Sequence, residues 1–327
     1  MDQTKSKNIM ENPVVVTLCA LLCCALWGTA FPGIKLGYEW TGVQNSDTAT
    51  QILYAGIRFT LAGILVIIIG SCAQKKNLLP NKKAIYKIII LAIFQTIVQY
   101  LFFYVGLART TGVKSSIITS FNVFGSLLIS AFVFHQEKLT MKKVVGCAIG
   151  FMGVVLVNLT GGSMDTSLHF AGEGFIFISA MSYALSSGFI KKFGKEEDPV
   201  MLSGYQFLLG GLFLFLVGGA FGGHVSFLQK NGSANIPAIS MILYLAMVSA
   251  VAYSLWGILL KHNPISRVAI FGFTNPIFGV VLSALLLDEK DSLGVGSIVA
   301  LVLVCMGIFI VNKVENIPIE DGTSFHS

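Results

Sequence analysis

Residues 122–138 read NVFGSLLISAFVFHQEK, and residues 275–290 read NPIFGVVLSALLLDEK. Each run begins with asparagine, continues as an apolar segment and ends in Glu-Lys, and the second lies 152 to 153 residues after the first. Each is followed by a glycine-rich run that contains Met-Gly, at 152–153 and at 306–307. Because self-similarity at one fixed spacing is typical of a repeated architecture, the sequence predicts two related halves.

The composition of the chain suits lipid rather than water. Of the 327 residues, 54% are hydrophobic and 12% are charged, and the mean hydropathy is +0.78. An average soluble domain carries about 25% charged residues. The composition therefore excludes an ordinary cytosolic enzyme and a disordered chain. The unbroken apolar runs also differ from the alternating pattern of an outer-membrane barrel.

Ten apolar runs are long enough to cross a bilayer as helices, since a crossing takes about 20 residues. They cover 13–36, 50–72, 84–107, 113–134, 143–160, 170–190, 200–222, 238–260, 267–287 and 293–312. We therefore predict an all-α integral membrane protein with ten transmembrane helices. A first five-helix repeat covers 13–160 and a second covers 170–312, between tails at 1–12 and 313–327.

Five spans in each half give the two repeats opposite orientations in the membrane. An inverted repeat is typical of secondary transporters, in which two similar halves exchange conformations around a shared site. A duplication without any transport role is the alternative. Sixteen of the 22 lysine and arginine residues fall on the side of the N-terminus. The positive-inside rule therefore predicts that both tails are cytoplasmic and that the protein lies in the inner or plasma membrane.

The net charge of +6 comes from basic clusters between the apolar runs. These clusters lack the interleaved aromatic residues of a nucleic-acid surface. The expected partners are therefore the lipid bilayer and a small-molecule substrate, with no nucleic acid. The six cysteines form no CxxC pair and no Cys/His zinc spacing, so we expect no metal and no cofactor. The pattern leaves a homodimer open.

Arg58 is the first candidate for a functional side chain. It lies about a third of the way into the second span, and a charged group inside lipid is costly. A guanidinium that faces a central cavity would attract a carboxylate or a phosphate. Two alternatives stay open, since the guanidinium could bond to backbone carbonyls or extend outward to the interface.

Polar and aromatic side chains recur at helical spacing in several spans, where lipid cannot satisfy their hydrogen bonds. Gln95 and Gln99 are four residues apart and are predicted to share one face of the third span. Such stripes either line a pocket for a solute or pack helices together. The residues predicted to bind a solute are Trp27, Arg58, Gln95, Gln99, Tyr100, Asn122, Tyr183, Tyr253, Trp256 and Asn275.

Charged residues near the ends of the spans are candidates for gating or structural roles. Lys35, at the outer end of the first span, is interpreted as reaching the interface. Glu137 and Glu289 are interpreted as caps or gate partners. No aspartate or glutamate lies in the middle of a predicted span. Because a buried carboxylate is the usual proton or sodium relay, the sequence disfavours an antiport driven by such a group at the midplane.

Three short motifs, taken in order, carry a family resemblance. Residues 26–31 read LWGTAF, and Lys35 follows them at the end of the first span. An Arg-Phe pair occupies 58–59 in the second span. In the ninth span, Pro276 precedes Glu289 by thirteen residues.

In these motifs and in their order within a five-plus-five repeat, the chain resembles the EamA family of the drug/metabolite transporter superfamily over nearly its whole length. The family carries Pro-x12-Glu in this position, which makes Pro276 a structural candidate. The first half departs from it, because Phe124 stands in the place of the proline thirteen residues before Glu137. The resemblance implies inner-membrane carriers, many of which export amino acids or other small metabolites.

The sequence therefore predicts a secondary transporter, an exporter of a small metabolite such as an amino acid or a related zwitterion or anion. Transport would proceed by alternating access at the interface of the two repeats. A membrane-embedded enzyme and a receptor or assembly subunit without flux are the alternatives. No HExxH, GxSxG or P-loop motif supports an enzyme.

Overall fold

The computed structural model of the protein describes residues 9–44, 46–107, 109, 115, 118–159, 170–227, 233–278, 282 and 295–313. The main elements in these ranges are helices, which we number α1 to α10 in chain order. Their bounds are Pro13–Thr41, Thr48–Gln74, Lys82–Leu107, Phe121–Val133, Met141–Leu159, Phe170–Phe193, Pro199–Ala220, Ile236–His262, 265–278 and Val295–Lys313. A short 3₁₀ turn, Ile9–Glu11, precedes α1.

Six of these helices, α1, α2, α3, α6, α7 and α8, are long and apolar enough to cross a membrane. α4 and the part Ile298–Lys313 of α10 are apolar but shorter. The prediction of a helical chain with many membrane-crossing segments is confirmed, and a total of ten spans stays a prediction. The predicted tail beyond Lys313 lies outside the described residues.

Short polar side chains begin five of the long helices by accepting a hydrogen bond from a backbone N–H of the first turn. These caps are Asn12, Asp47, Asn81, Asp198 and Asn235. Proline follows in the first turn of α1, α7 and α8, where a missing N–H costs nothing. α1 runs to Thr41, past its predicted end at 36, and stops at Gly42, whose φ of 72° suits glycine.

The second helices of the two halves, α2 and α7, pack along each other at close range. Glycines recur every seven residues on both helices, at 56, 63 and 70 and at 204, 211 and 218. A Cβ on Gly63 would lie 2.5 Å from the backbone nitrogen of Leu208, and a Cβ on Gly211 would lie 2.4 Å from that of Thr60. Glycine at these positions therefore lets the two backbones approach each other.

The fifth helices, α5 and α10, pair in the same way. Gly146 and Gly150 form a GxxxG that faces Gly307, where an added Cβ would lie 2.6 Å from the carbonyl oxygen of Gly146. The first helix of each half packs on the third helix of the other, α1 on α8 and α6 on α3. This reciprocal exchange is the packing expected of two related halves about a common axis.

The apolar core is divided into two clusters. One contains Trp256 and Phe273, and the other contains Phe59 and Phe207. Trp27 of α1 packs against both clusters. The middle of α1 therefore lies between the two apolar regions, where the functional side chains described next are found.

Candidate functional site

A cavity of about 110 Å³ lies at the interface of the two halves. It is lined by Trp27, Ala30, Ile34, Arg58, Gln99, Tyr100, Phe103, Thr119, Asn122, Ser179, Ala180, Tyr183, Tyr253, Trp256, Ala269, Gly272 and Asn275. These residues come from both halves. Nine of the ten residues predicted to bind a solute are among them, and Gln95 is not.

Residues from equivalent helices of the two repeats meet at this cavity. The hydroxyl groups of Tyr100 on α3 and Tyr253 on α8 are hydrogen-bonded to each other. Trp27 on α1 and Tyr183 on α6 are in edge contact, with ring centroids 6.4 Å apart. Because α3 and α8 are counterparts in the two halves, as are α1 and α6, the cavity lies where the axis that relates the halves passes.

Aromatic rings form an apolar wall of the cavity. The ring centroid of Trp27 lies 5.0 Å from that of Tyr253 and 5.0 Å from that of Trp256, both in tilted edge contacts. Such contacts hold large flat side chains in fixed orientations. The wall therefore presents a rigid apolar surface to the cavity.

Arg58 brings a positive charge to the cavity and is 2% exposed. Its Nε donates to the carbonyl oxygen of Leu245 at 3.3 Å, and its Nη2 donates to Oγ of Ser249 at 2.9 Å. The guanidinium carbon lies 5.1 Å from the centroid of the Phe59 ring. In the described part of the chain no carboxylate forms an ion pair with it. The guanidinium therefore bonds to a backbone carbonyl, as one of the alternatives predicted, and no carboxylate of the described residues balances its charge.

Several polar atoms on the cavity wall are buried without a hydrogen-bond partner among the described residues. They are Nε1 of Trp27, Oε1 of Gln99, Oγ1 of Thr119 and Oδ1 of Asn275. Buried polar atoms are almost always hydrogen-bonded in folded proteins. An unpaired indole N–H and three unpaired oxygens on one cavity therefore suit a ligand with both donor and acceptor groups.

Gln95 lies in a π-helical turn of α3, Ala92–Val98, and does not line the cavity. Its side chain faces α7 instead. Oε1 of Gln95 accepts a bond from Nε2 of Gln206 at 3.0 Å, and Gln206 accepts one from Thr96 at 2.7 Å. The structure therefore places Gln95 in a buried polar contact between α3 and α7.

The cavity also contains residues that the sequence did not single out as solute ligands. Thr119 and Ser179 lie on polar stripes of their helices, so helical spacing could have found them. Ile34 and Gly272 carry no such signal, because apolar residues and glycines occur throughout the spans. Their place on the wall depends on how the helices pack.

Glu137 connects the two halves at the end of the bundle where α1 begins. Its carboxylate accepts bonds from Nζ of Lys143 at 2.8 Å, from the backbone N–H of Ser266 at 3.0 Å and from Oγ of Ser266. Burial raises the pKa of Glu137, but the bonds from Lys143 and Ser266 outweigh burial and hold the pKa below its usual value. Glu137 therefore stays ionised and ties the loop after α4 to the start of α9.

Three chain segments meet close to Glu137, at the end of the bundle where α1 begins. Nδ2 of Asn263 donates to the carbonyl oxygen of Met10 at 2.8 Å. The carbonyl oxygen of Asn263 accepts a bond from Nζ of Lys191 at 2.7 Å. The start of α1, the end of α6 and the turn between α8 and α9 therefore meet beside the Glu137 contact.

The other residues with predicted gating or structural roles are placed only in part. Pro276 is buried in α9. Lys35 lies in α1, but its side chain is outside the described part of the structure, as is all of Glu289. In the described ranges, no group of three or more His, Cys, Asp or Glu side chains could hold a metal ion.

The profile of the EamA-like transporter family matches the chain twice, over residues 15–159 and 170–313. An Archaeoglobus fulgidus protein named "Uncharacterized transporter" is 28% identical over 297 residues, which cover 89% of this chain and 96% of the relative. An Escherichia coli protein named "Probable amino-acid metabolite efflux pump" is 27% identical, over 83% of this chain and 86% of the relative.

A solved crystal structure has a similar fold, with a TM-score of 0.73 at 17% sequence identity, over 93% of this chain and 99% of that one. At this identity the likeness concerns the fold alone. The two profile matches together span most of the chain, and the relatives are named as transporters. The chain belongs to the EamA-like transporter family and is a multi-pass membrane protein.

Proposed function

We propose that the protein is a secondary exporter of a small metabolite, such as an amino acid or a related zwitterion or anion, working by alternating access at the interface of the two repeats. The observation that carries this proposal is Arg58, a buried cation on the cavity wall with no carboxylate partner in the described ranges. A buried charge without a partner favours an oppositely charged ligand. The name of the E. coli relative, an amino-acid metabolite efflux pump, supports the same class of solute.

The rest of the cavity wall suits the other parts of such a solute. The carboxylate would bind the guanidinium of Arg58, which presents donors in a plane. The ammonium group would donate to Oε1 of Gln99 and Oδ1 of Asn275, which have no partner among the described residues. The side chain of the solute would lie against Trp27 and Trp256.

The Glu137 contact provides a gate for alternating access. It joins α4 of the first half to α9 of the second, and both helices also line the cavity. Opening the cavity at this end requires Glu137 to release Ser266. If the protein lies in the plasma or inner membrane with both tails in the cytoplasm, this end of the bundle is the cytoplasmic end. The Glu137–Ser266 contact is formed, so the gate is closed in this structure.

Replacing Glu137 with glutamine is expected to open the cytoplasmic end more often. The substitution removes a charge-assisted contact of about 1.5–3 kcal/mol, which corresponds to about a 10- to 100-fold shift in the opening equilibrium. The measurement is the rate at which a membrane-impermeant maleimide, added on the cytoplasmic side, labels Ala269→Cys in a cysteine-free background. A labelling rate equal to that of the unsubstituted gate would contradict this role.

Glu196→Gln is the matched control for the gate. Glu196 is an exposed carboxylate at the same end of the bundle, and its partner Lys87 keeps a second carboxylate, Glu197, at 2.8 Å. The charge change is identical, but no contact between α4 and α9 is lost. The labelling rate of Ala269→Cys should therefore stay at the parent level in this variant.

The ionised state of Glu137 also makes stability depend on pH. Its pKa is lower in the folded protein than in the unfolded chain, so its contribution is complete above the unfolded value of about 4.3. That contribution is lost as pH falls through the lower folded pKa. Below pH about 4, further acidification should lower the midpoint of thermal unfolding less in Glu137→Gln than in the parent. Identical pH profiles in the two proteins would show that Glu137 carries no such linkage.

Flux across a bilayer is the direct test of the proposed function. Proteoliposomes loaded with a labelled mixture of amino acids and nucleosides should release one class of solute faster than protein-free liposomes. Release of zwitterionic or anionic solutes, and no release of cationic ones, is the expected result. Absence of any flux in correctly folded protein would favour the receptor or assembly-subunit alternative, and release of cations alone would exclude Arg58 as the solute ligand.

A further inference from the structure

The π-helical turn of α3 lies directly before the residues of this helix that line the cavity. The turn covers Ala92–Val98, and the lining residues Gln99, Tyr100 and Phe103 all follow it. The part of α3 before the turn, Lys82–Leu91, contributes no residue to the described cavity wall. The turn therefore separates the part of α3 that packs elsewhere from the part that lines the cavity.

A π turn changes the direction in which all later side chains of a helix point. Its hydrogen bonds run from i to i+5, so it contains one residue more than an α-helical turn. One residue corresponds to a rotation of about 100° in an α-helix. If the turn changed to ordinary α-helix, each place on the cavity wall would be taken by the preceding residue, and Phe102 would replace Phe103.

Two side chains of the second half bind this turn. Oγ of Ser182 on α6 donates to the carbonyl oxygen of Phe94 at 2.6 Å. Gln206 on α7 donates from Nε2 to Oε1 of Gln95 at 3.0 Å, and its Oε1 accepts a bond from Oγ1 of Thr96 at 2.7 Å. A serine hydroxyl can replace the partner that a backbone carbonyl loses where a membrane helix departs from α geometry.

The contacts of Gln206 are buried, and α7 approaches the turn closely. Gln206 and Thr96 are 0% exposed, and Gln95 is 1% exposed. An added Cβ on Gly210, one turn after Gln206, would lie 2.6 Å from Cβ of Thr96. Without Gln206, two buried polar side chains would lose these bonds, and unpaired buried groups are costly. The packing of α7 therefore favours the π turn over other geometries of this segment.

We propose that Gln206 and Ser182 are positioning residues, which hold the π turn of α3 and thereby direct Gln99, Tyr100 and Phe103 into the cavity. Neither Gln206 nor Ser182 lines the cavity itself. The consequence for transport rests on the proposed function. The orientation of α3 does not, and it can be measured without any solute.

The reactivity of single cysteines reports this orientation. In a cysteine-free background, Phe103→Cys lines the cavity and should react with a small anionic methanethiosulfonate. Phe102→Cys should react more slowly, because the Phe102 ring packs on Phe175 of α6 with centroids 4.9 Å apart. In Gln206→Leu, the ratio of the two rates should shift towards Phe102→Cys by at least about 10-fold. An unchanged ratio in monodisperse Gln206→Leu protein would overturn the proposal.

Deletion of Ile97 separates the register of α3 from general damage. Removing one residue lets the segment form ordinary α-helix while Phe103 keeps its place on the wall. The deletion should therefore restore the parent ratio in Gln206→Leu. In the parent background it should leave the ratio unchanged, which provides a test even if Gln206→Leu does not fold. A shift of labelling away from Phe103→Cys on deletion of Ile97 alone would overturn the proposal.

Gln51→Leu is the matched control for Gln206→Leu. Gln51 is 2% exposed, and its Nε2 donates to the carbonyl oxygen of Gln44 at 3.0 Å, near the start of α2. The chemical change is identical, but no bond to the π turn is lost. The labelling ratio should stay at the parent value. An equal shift in both glutamine variants would overturn the assignment to Gln206.

A kinetic measurement connects the turn to the proposed export. Because Gln99 is a proposed ligand of the solute, Gln206→Leu should raise the KM for transport by about 10-fold. Deletion of Ile97 in the same chain should restore the KM, which a merely destabilised protein would not show. A parent protein without flux would contradict the proposed function, and the labelling ratio would still decide the positioning role.

Discussion

Arg58→Ala is expected to lower transport of an anionic or zwitterionic solute by about 10- to 100-fold, because a hydrogen bond to a charged group contributes about 1.5–3 kcal/mol. Insertion should be unaffected, since removing a charge from α2 makes the helix more apolar. Arg58→Lys keeps the charge but loses the planar set of donors, so we expect an intermediate rate. Initial rates of solute release from proteoliposomes, at equal protein content, provide the measurement.

Arg109→Ala is the matched control for this prediction. Arg109 is exposed, and its Nη1 donates to the carbonyl oxygen of Val105, near the end of α3, at 2.9 Å. The variant removes the same charge from the same protein without touching the cavity. Its transport rate should equal that of the parent. Equal rates for Arg58→Ala and the parent, with both proteins monodisperse in detergent, would contradict the role of Arg58.

Gly211→Leu is expected to prevent assembly of α2 against α7. The first atom of any side chain at this position would lie 2.4 Å from the backbone nitrogen of Thr60, so the helices must separate to accept it. Overpacking costs about 1–3 kcal/mol where side chains can move, and here the obstacle is backbone. We therefore expect a loss above that range. It is measured as a lowered unfolding midpoint and a lower yield of monodisperse protein.

Gly219→Leu provides the control for this steric prediction. Gly219 lies eight residues further along the same helix, and no atom lies within 4 Å of the position that its Cβ would take. The same change in side-chain volume should alter stability by no more than about 0.5 kcal/mol. If both leucine variants lowered the midpoint equally, the effect would come from helix composition and not from close contact between α2 and α7.

The constant spacing between equivalent residues of the two repeats explains why the sequence could predict residues of the cavity. Tyr100 and Tyr253 are 153 residues apart, and so are Asn122 and Asn275. Equivalent positions of two related halves must be equidistant from the axis that relates them. Residues near that axis therefore come together, as the bond between Tyr100 and Tyr253 shows. A cationic residue within an apolar span, Arg58, added the charge of the site.

Tertiary contacts explain the predicted solute ligand that lies outside the cavity. Helical spacing put Gln95 beside Gln99, but Gln95 bonds to Gln206 on α7, whereas Gln99 lines the cavity. Nothing in the sequence shows which of two neighbouring polar side chains has a partner on another helix.

The sequence by itself determined the membrane class, the two related halves and most of the side chains that line the cavity. It could do so because burial in lipid demands long apolar runs and because duplication leaves a fixed spacing. Only the tertiary structure decided that Glu137 binds Ser266 and that glycines of α2 and α7 meet. These contacts join residues far apart in the chain. Their geometry depends on how the helices pack, and the similar apolar composition of the helices does not show which of them pack together.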